Sequence, residues 1–324
     1  MSYPLIILGA GASHDYVSPT IAPEDFLLPP ITDDLVDKKY LDIKISAQYP
    51  EAEDLISKIA NIVNTKKKSL EESLALINNS IQLEAFKFYL KDFFQKISKS
   101  CYNFNNYKAL KDEIVNKACI INFNYDNLFE NCLGSKNWRD IDDYINGDIK
   151  IIKVHGSCDW SYIKQRDINY ERINKITNSF DFFKKEPQLF HNHQKIYLDN
   201  YIAQNSNLTN YFKFPAIAVP TGSIKKYICP SQHVDILNQA LEETDRILII
   251  GWKAGDEYIV DLIKSKATHP INLCVVSGNK NDIDSVFSKF ADNKYLLHRV
   301  AKCIGFSEFI ESNQCKTFFW NKVT

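Results

Sequence analysis

Six short apolar runs, each stopping abruptly on polar or glycine-rich residues, constrain this chain more than any other feature. They are Pro4–Leu8, Cys119–Phe123, Ile149–Val154, Phe214–Val219, Arg246–Ile250 and Asn272–Val276. Runs this short, rich in β-branched residues, read as buried strands rather than helices. After most of them a helix-compatible spacing resumes. Leu128, Phe129 and Glu130 follow the second run, Val234, Leu237 and Leu241 the fourth, and Ile259, Leu262 and Ile263 the fifth. Ile283, Val286, Phe287 and Phe290 follow the sixth. Repeated strand–turn–helix units predict a mostly parallel sheet with helices on both faces. The expected class is therefore α/β, Rossmann-like, with about six strands. Lys316–Trp320 is expected to add an edge strand or a packing tail.

Two stretches interrupt this alternation. Residues 36–116 turn to helical periodicity, with Leu55, Ile59, Ile62 and Val63 on one face and Leu70, Leu74 and Ile77 on another. Phe86, Tyr89, Leu90, Phe93, Phe94 and Ile97 make a third apolar stripe, of the kind that packs into a core. Lys66, Lys67 and Lys68 read as a solvated turn between helices. The separation between the first two strands is far longer than an ordinary crossover, so this stretch is expected to be a helical insertion. Residues 161–213 mix aromatic, lysine and asparagine residues with weak periodicity. They are expected to form a second, mostly helical insertion or cap, and the whole chain, 1–324, one catalytic domain.

Charge excludes some partners. The 39 basic residues balance 40 acidic ones, leaving a net charge of −1, so no footprint for direct nucleic-acid binding or for an anionic membrane is present. No apolar run reaches the roughly 20 residues that cross a bilayer, and neither a basic leader nor a signal-peptide core stands at the start. A cytoplasmic location is expected. The eight cysteines stand singly, with no C-x-x-C pair, which removes zinc-ribbon and thioredoxin-type readings. Cys119 and Cys274 read as small buried apolar residues. His191 and His193 share a strand-like face without a third ligand at useful spacing, and no metal is expected.

The chemistry gathers where strands end. Pro4–Leu8 feeds Gly9, Ala10, Gly11, Ala12 and Ser13, a turn that could present N–H groups to a phosphate. The full dinucleotide fingerprint is not met, because position 14 is His. Cys119–Phe123 ends on Asn124, Tyr125, Asp126 and Asn127, and Ile149–Val154 ends on His155 and Gly156. In open α/β sheets ligands bind at such carboxyl ends. A glycine turn, an amide, a carboxylate and an imidazole suit work on a nucleotide sugar. The amide can bond a ribose hydroxyl and the imidazole can take a proton. A carboxylate can stabilise the oxocarbenium-like centre left by a departing nicotinamide. Each residue alone also has a structural reading: a buried histidine, a turn-forming asparagine, a helix-capping aspartate, a glycine turn without a ligand.

In this order and approximate spacing, Gly9–Ser13, Asn124-Tyr125-Asp126 and His155-Gly156 resemble the signature motifs of the sirtuins. Gly251…Asp256 and Ser277-Gly278-Asn279 sit where that family places further NAD-binding loops. With Pro30–Leu35 and Asn124–Glu130 added, the sequence looks most like the sirtuin-like effector domains of bacterial anti-phage defence. The resemblance spans most of the sheet but not the insertions. It implies a six-stranded Rossmann-like sheet, NAD+ as substrate without a metal, and NAD+ hydrolysis that depletes the cell. By resemblance Asn124 engages the nicotinamide ribose, His155 is the catalytic imidazole and Asp126 supports the ribose site. Gly9, Ala10, Gly11 and Ser13 would hold the diphosphate, and Gly251, Asp256 and Ser277 would complete the NAD+ site. Deacetylating sirtuins carry a zinc ribbon after the His-Gly motif. Here only Cys158 follows closely, so deacylation is not expected and water is the simplest acceptor. A non-catalytic NAD+ or ADP-ribose sensor and an ADP-ribosyl transferase are the alternatives. Since no sensor domain is read after the last sheet element, a homo-oligomer or a partner, such as an ATPase or Argonaute-type protein, is expected to control the activity.

Overall fold

Strand runs without a polar face must be covered on both sides, and the structure covers them. The computed structural model describes residues 4–18, 28–100, 105–114, 117–187, 195–208, 210–219, 227–296, 298–302 and 304–320. In chain order the strands are β1 (Leu5–Leu8), β2 (Ala118–Asn122), β3 (Ile149–Lys153), β4 (Gly156–Gln165), β5 (Ile196–Leu198), β6 (Tyr211–Ile217), β7 (Arg246–Ile250), β8 (Asn272–Val276) and β9 (His298–Lys302). Six of them form one parallel sheet in the order β3-β2-β1-β7-β8-β9. Relabelled along the sheet's own strands this is 3-2-1-4-5-6, the doubly wound dinucleotide-binding order. Leu5, Ile6, Ile7 and Leu8 are wholly buried at its centre, each contributing roughly 1.5–3 kcal/mol by leaving water. Cys119 and Cys274 are buried free thiols within the same sheet.

Two elements differ from expectation. The run Phe214–Val219 does not enter the parallel sheet. It belongs to β6, which pairs antiparallel with β4, while β5 lies on the other side of β4 in a separate three-stranded sheet. An apolar run announces burial, not its partner, so periodicity alone could not assign the sheet. The sixth parallel strand is instead β9, whose His298, Arg299 and Lys302 disguise it. As the outermost strand it has one neighbour and tolerates polar residues. Of the two readings of Lys316–Trp320, edge strand or packing tail, the strand falls away, because the segment lies in a helix, Gln314–Trp320.

Residues 36–116 hold the long helices Pro50–Lys66 and Ser80–Lys99. Asn79 caps the second by accepting from the N–H groups of Ile81 and Gln82. That helix buries Phe86, Tyr89, Leu90, Phe93 and Phe94. It also pins the second sheet, because the buried Lys91 donates to Trp160 O at 2.9 Å and pairs with Asp199 at 2.8 Å. Between β4 and β6 run the short helices Ile168–Asn174, Ser179–Lys185 and Asp199–Gln204. Among the described residues no helix is long and apolar enough to cross a membrane.

Candidate active site

The order of the main sheet reverses between β1 and β7, and ligands in such folds bind outside the carboxyl ends at that point. Two glycine-containing turns meet there. Gly9 N–H donates to Ile250 O at 3.0 Å and Gly11 N–H to Gly251 O at 3.1 Å. A Cβ on Gly9 would lie 2.5 Å from Gly251 O, and one on Gly11 2.8 Å from Gly251 Cα. Gly251 itself has φ +62°, a left-handed value that favours glycine. The glycines are thus required by close packing of the two loops, and the Gly9 and Gly11 amides are committed to that packing. Ala10 begins the one-turn helix Ala10–His14.

Asn124 joins β2 to the first turn. Its Nδ2 donates to Gly9 O at 3.0 Å and Ser13 Oγ at 2.9 Å, and its N–H to Asn122 Oδ1 at 3.0 Å. Ser13 Oγ also lies 2.8 Å from the Tyr107 hydroxyl. None of these bonds uses Asn124 Oδ1, the atom suited to accept from a ligand hydroxyl.

Asp126 stands a layer below. It is 1% exposed, and its Oδ1 accepts from Leu128 N–H at 3.0 Å, a turn bond that starts the helix Leu128–Cys132. Beside it the wholly buried Lys153 pairs with the wholly buried Glu130 at 3.0 Å and donates to Asp126 O at 2.6 Å. Asn122 Nδ2 also donates to Glu130 at 3.0 Å. Burial pushes the Asp126 and Glu130 carboxyls above their usual range, with Lys153 opposing the shift in both. One buried ammonium serves two buried carboxyls, and this cluster fixes the Asn124–Asn127 turn from beneath.

His155 follows β3, and neighbouring segments hold its backbone from two sides. Ala218 N–H donates to His155 O at 2.9 Å, and Ile228 N–H to Val154 O at 3.0 Å. The ring meets Phe123 edge-on at 5.3 Å, and Phe123 in turn stacks on Trp252 at 5.0 Å. The imidazole therefore touches both the residue before Asn124 and, through Trp252, the loop after β7. Its Nε2 lies 3.3 Å from Asp256 Oδ2. Asp256 is 2% exposed and also accepts from the Tyr227 hydroxyl and from Ile259 N–H. Burial alone would raise its pKa; the hydrogen bonds from His155, Tyr227 and Ile259 outweigh burial and hold it below the usual carboxylate range. A charged carboxylate on Nε2 selects the tautomer with the proton there, leaving Nδ1 as a base.

The structure thus brings Gly9, Ser13 and Asn124 together, and His155 together with Asp256. Ser277 stands at the end of β8, where its hydroxyl accepts from Asn279 N–H at 3.2 Å and its own N–H donates to Lys302 O. Asp256, expected among the cofactor contacts, is the carboxylate of the imidazole. Sequence reasoning missed Tyr227, Trp252 and Tyr107. Trp252 was within reach, since it adjoins the Gly251 turn, whereas nothing near Tyr227 signals its neighbours. His191 and His193 lie outside the described residues, and among the described residues no three His, Cys, Asp or Glu side chains gather as metal ligands.

No protein-family model matches the chain, and no curated protein does. Several solved structures are similar to it over nearly their full length. A Sir2 homologue in complex with NAD is 13% identical, with a TM-score of 0.44 over 98% of this chain and 90% of that one. A mutant of Sir2 homologues with 2′-O-acetyl ADP ribose gives 13%, 0.46, 99% and 95%. A complex of Sir2, p53 peptide and NAD+ gives 12%, 0.41, 96% and 92%. At these identities the likeness concerns the fold alone, and scores this low carry no functional argument.

Proposed function

We propose that this protein hydrolyses NAD+ to nicotinamide and ADP-ribose. The observation that carries the reading is the His155–Asp256 pair, held at the carboxyl-terminal edge of the sheet beside the β1/β7 reversal, with the Asn124 turn as its neighbour through Phe123. Asn124 Oδ1 accepts from a ribose hydroxyl. His155 Nδ1 accepts a proton from the attacking water or from that hydroxyl, while Asp256 stabilises the imidazolium that results. The bond from C1′ to the nicotinamide nitrogen breaks with its electron pair on nicotinamide, water oxygen bonds to C1′, and one proton is released. Asp126, sealed beneath the turn, positions Asn124 and Ser13 and lends its field to the cationic centre.

The ordered motifs of the sequence support a place for this activity as an NAD+-depleting effector in anti-phage defence, restrained until a homo-oligomer or a partner of ATPase or Argonaute type switches it on. The competing reading is a module that binds NAD+ or ADP-ribose without consuming it. It is favoured by the full commitment of Asn124 Nδ2 to internal bonds. The deciding experiment follows nicotinamide release from NAD+ by the purified protein, alone, assembled and with candidate partners. His155→Ala and Asn124→Ala are expected to lose at least about 100-fold in rate, the scale of a general base. Saturable binding with NAD+ intact in every state would establish the binding module, and label from NAD+ on protein would establish transfer. Turnover unchanged in both variants would refute the site.

A further inference from the structure

One residue touches both members of the His155–Asp256 pair. Asp256 Oδ1 accepts from Ile259 N–H at 3.1 Å, which its place as cap of the helix Glu257–Lys266 explains. Capping does not explain the second donor to Oδ1, the Tyr227 hydroxyl, which comes from 29 residues away. The Tyr227 ring also stacks on the imidazole, 6.3 Å between centroids and 30° between planes. Its backbone neighbour Ile228 is bonded to Val154, the residue before His155. Tyr227 is therefore held against the ring of one partner, next to a residue bonded to the preceding Val154, and bonded to the carboxylate of the other. On its far side it packs on Tyr258, which is 49% exposed.

We propose that Tyr227 is the positioning residue of the His155–Asp256 pair, its hydroxyl occupying Oδ1 so that Oδ2 is left to the imidazole Nε2–H. A carboxylate held at one oxygen cannot turn freely about its bond to Cβ, so the second oxygen keeps a fixed aim. The stacked phenol ring sets the plane of the imidazole, and Nδ1 then carries its lone pair in one direction. The kinetic side of this inference rests on the hydrolytic reading, while its structural side can be read without turnover.

The test labels the histidines with nitrogen-15 and reads their tautomers under alkaline conditions, where imidazoles are neutral. Of the seven histidines, the signal missing from His155→Ala identifies residue 155. Wild type is expected to hold the Nε2–H form, Tyr227→Phe a mixture of both forms, and Asp256→Asn mainly the Nδ1–H form. In turnover, Tyr227→Phe is expected to lower kcat about tenfold with KM within about twofold, since the fault lies in proton transfer rather than binding. Tyr258→Phe leaves both unchanged. A Tyr227→Phe protein with wild-type tautomer and kcat overturns the inference. Should that variant fail to fold, Asp256→Asn, which keeps a helix cap, decides it: an unchanged tautomer there overturns the inference as well. Tautomers that move as expected, in a protein that releases no nicotinamide in any state, uphold the positioning and refute the hydrolase.

Discussion

Replacing Gly156 by alanine strains the step that carries the chain from β3 to β4 just after His155. Gly156 has φ +78°, and an alanine held there costs about 1–2 kcal/mol from conformation alone. Its Cβ would lie 1.9 Å from Ala216 O and 2.9 Å from Ala216 C. Since carbon and oxygen rest at about 3.3 Å or more, β6 must retreat by more than an ångström. That retreat lengthens the 2.9 Å bond from Ala218 N–H to His155 O and disturbs the pairing of Gly156 with Ile217. Each backbone bond lost adds roughly 0.5–1.5 kcal/mol. The expected destabilisation is about 3–5 kcal/mol, a fall in Tm of about 4–7 °C for a chain of 324 residues. Thermal melts followed by circular dichroism measure it. Gly134→Ala is the control, because Gly134 has φ +80° but nothing within 4 Å of an added Cβ; it should show the conformational cost alone, about 1–2 kcal/mol. A Gly156→Ala protein that melts with wild type, or a Gly134→Ala protein equally damaged, would refute the steric argument.

Two further perturbations probe buried charge. Lys153→Met leaves the buried Glu130 and Asp126 without their ammonium and is expected to cost about 3–5 kcal/mol in urea unfolding. Because burial raises both folded-state carboxyl pKa values, protonation relieves the variant, and its deficit should shrink as pH falls; a deficit independent of pH would count against the cluster. His233 is wholly buried, and burial pushes its pKa down to about 4 from 6.5. The unfolded chain therefore binds the proton first, and stability is expected to fall as pH drops from about 6.5 to about 4, by on the order of 3 kcal/mol. His233→Leu should flatten that part of the stability profile, and an unchanged slope would show that other groups set it.

Much of the fold was legible because burial on both faces writes itself into consecutive residues. Cys119–Ile121, Ile247–Ile250 and Leu273–Val276 are apolar throughout since helices cover them above and below, and the polar turn after each marks a carboxyl end. β9 was illegible for the converse reason, as an edge strand carries charge. The glycines at 9 and 11 announced a close approach without saying of what. The structure answers with the carbonyl and Cα of Gly251.

Local burial and spacing thus prescribed the α/β class, five of the six parallel strands, and the candidates Asn124, Asp126 and His155 at strand ends. Only folding in three dimensions decided that Phe214–Ile217 pairs with β4, that Asp126 is sealed with Lys153 and Glu130, and that Asp256, 101 residues from His155, meets its ring. Period and propensity report what a segment's own faces touch. Which distant segment supplies the contact depends on strand order and on how loops close over the sheet, and no single stretch of sequence encodes either.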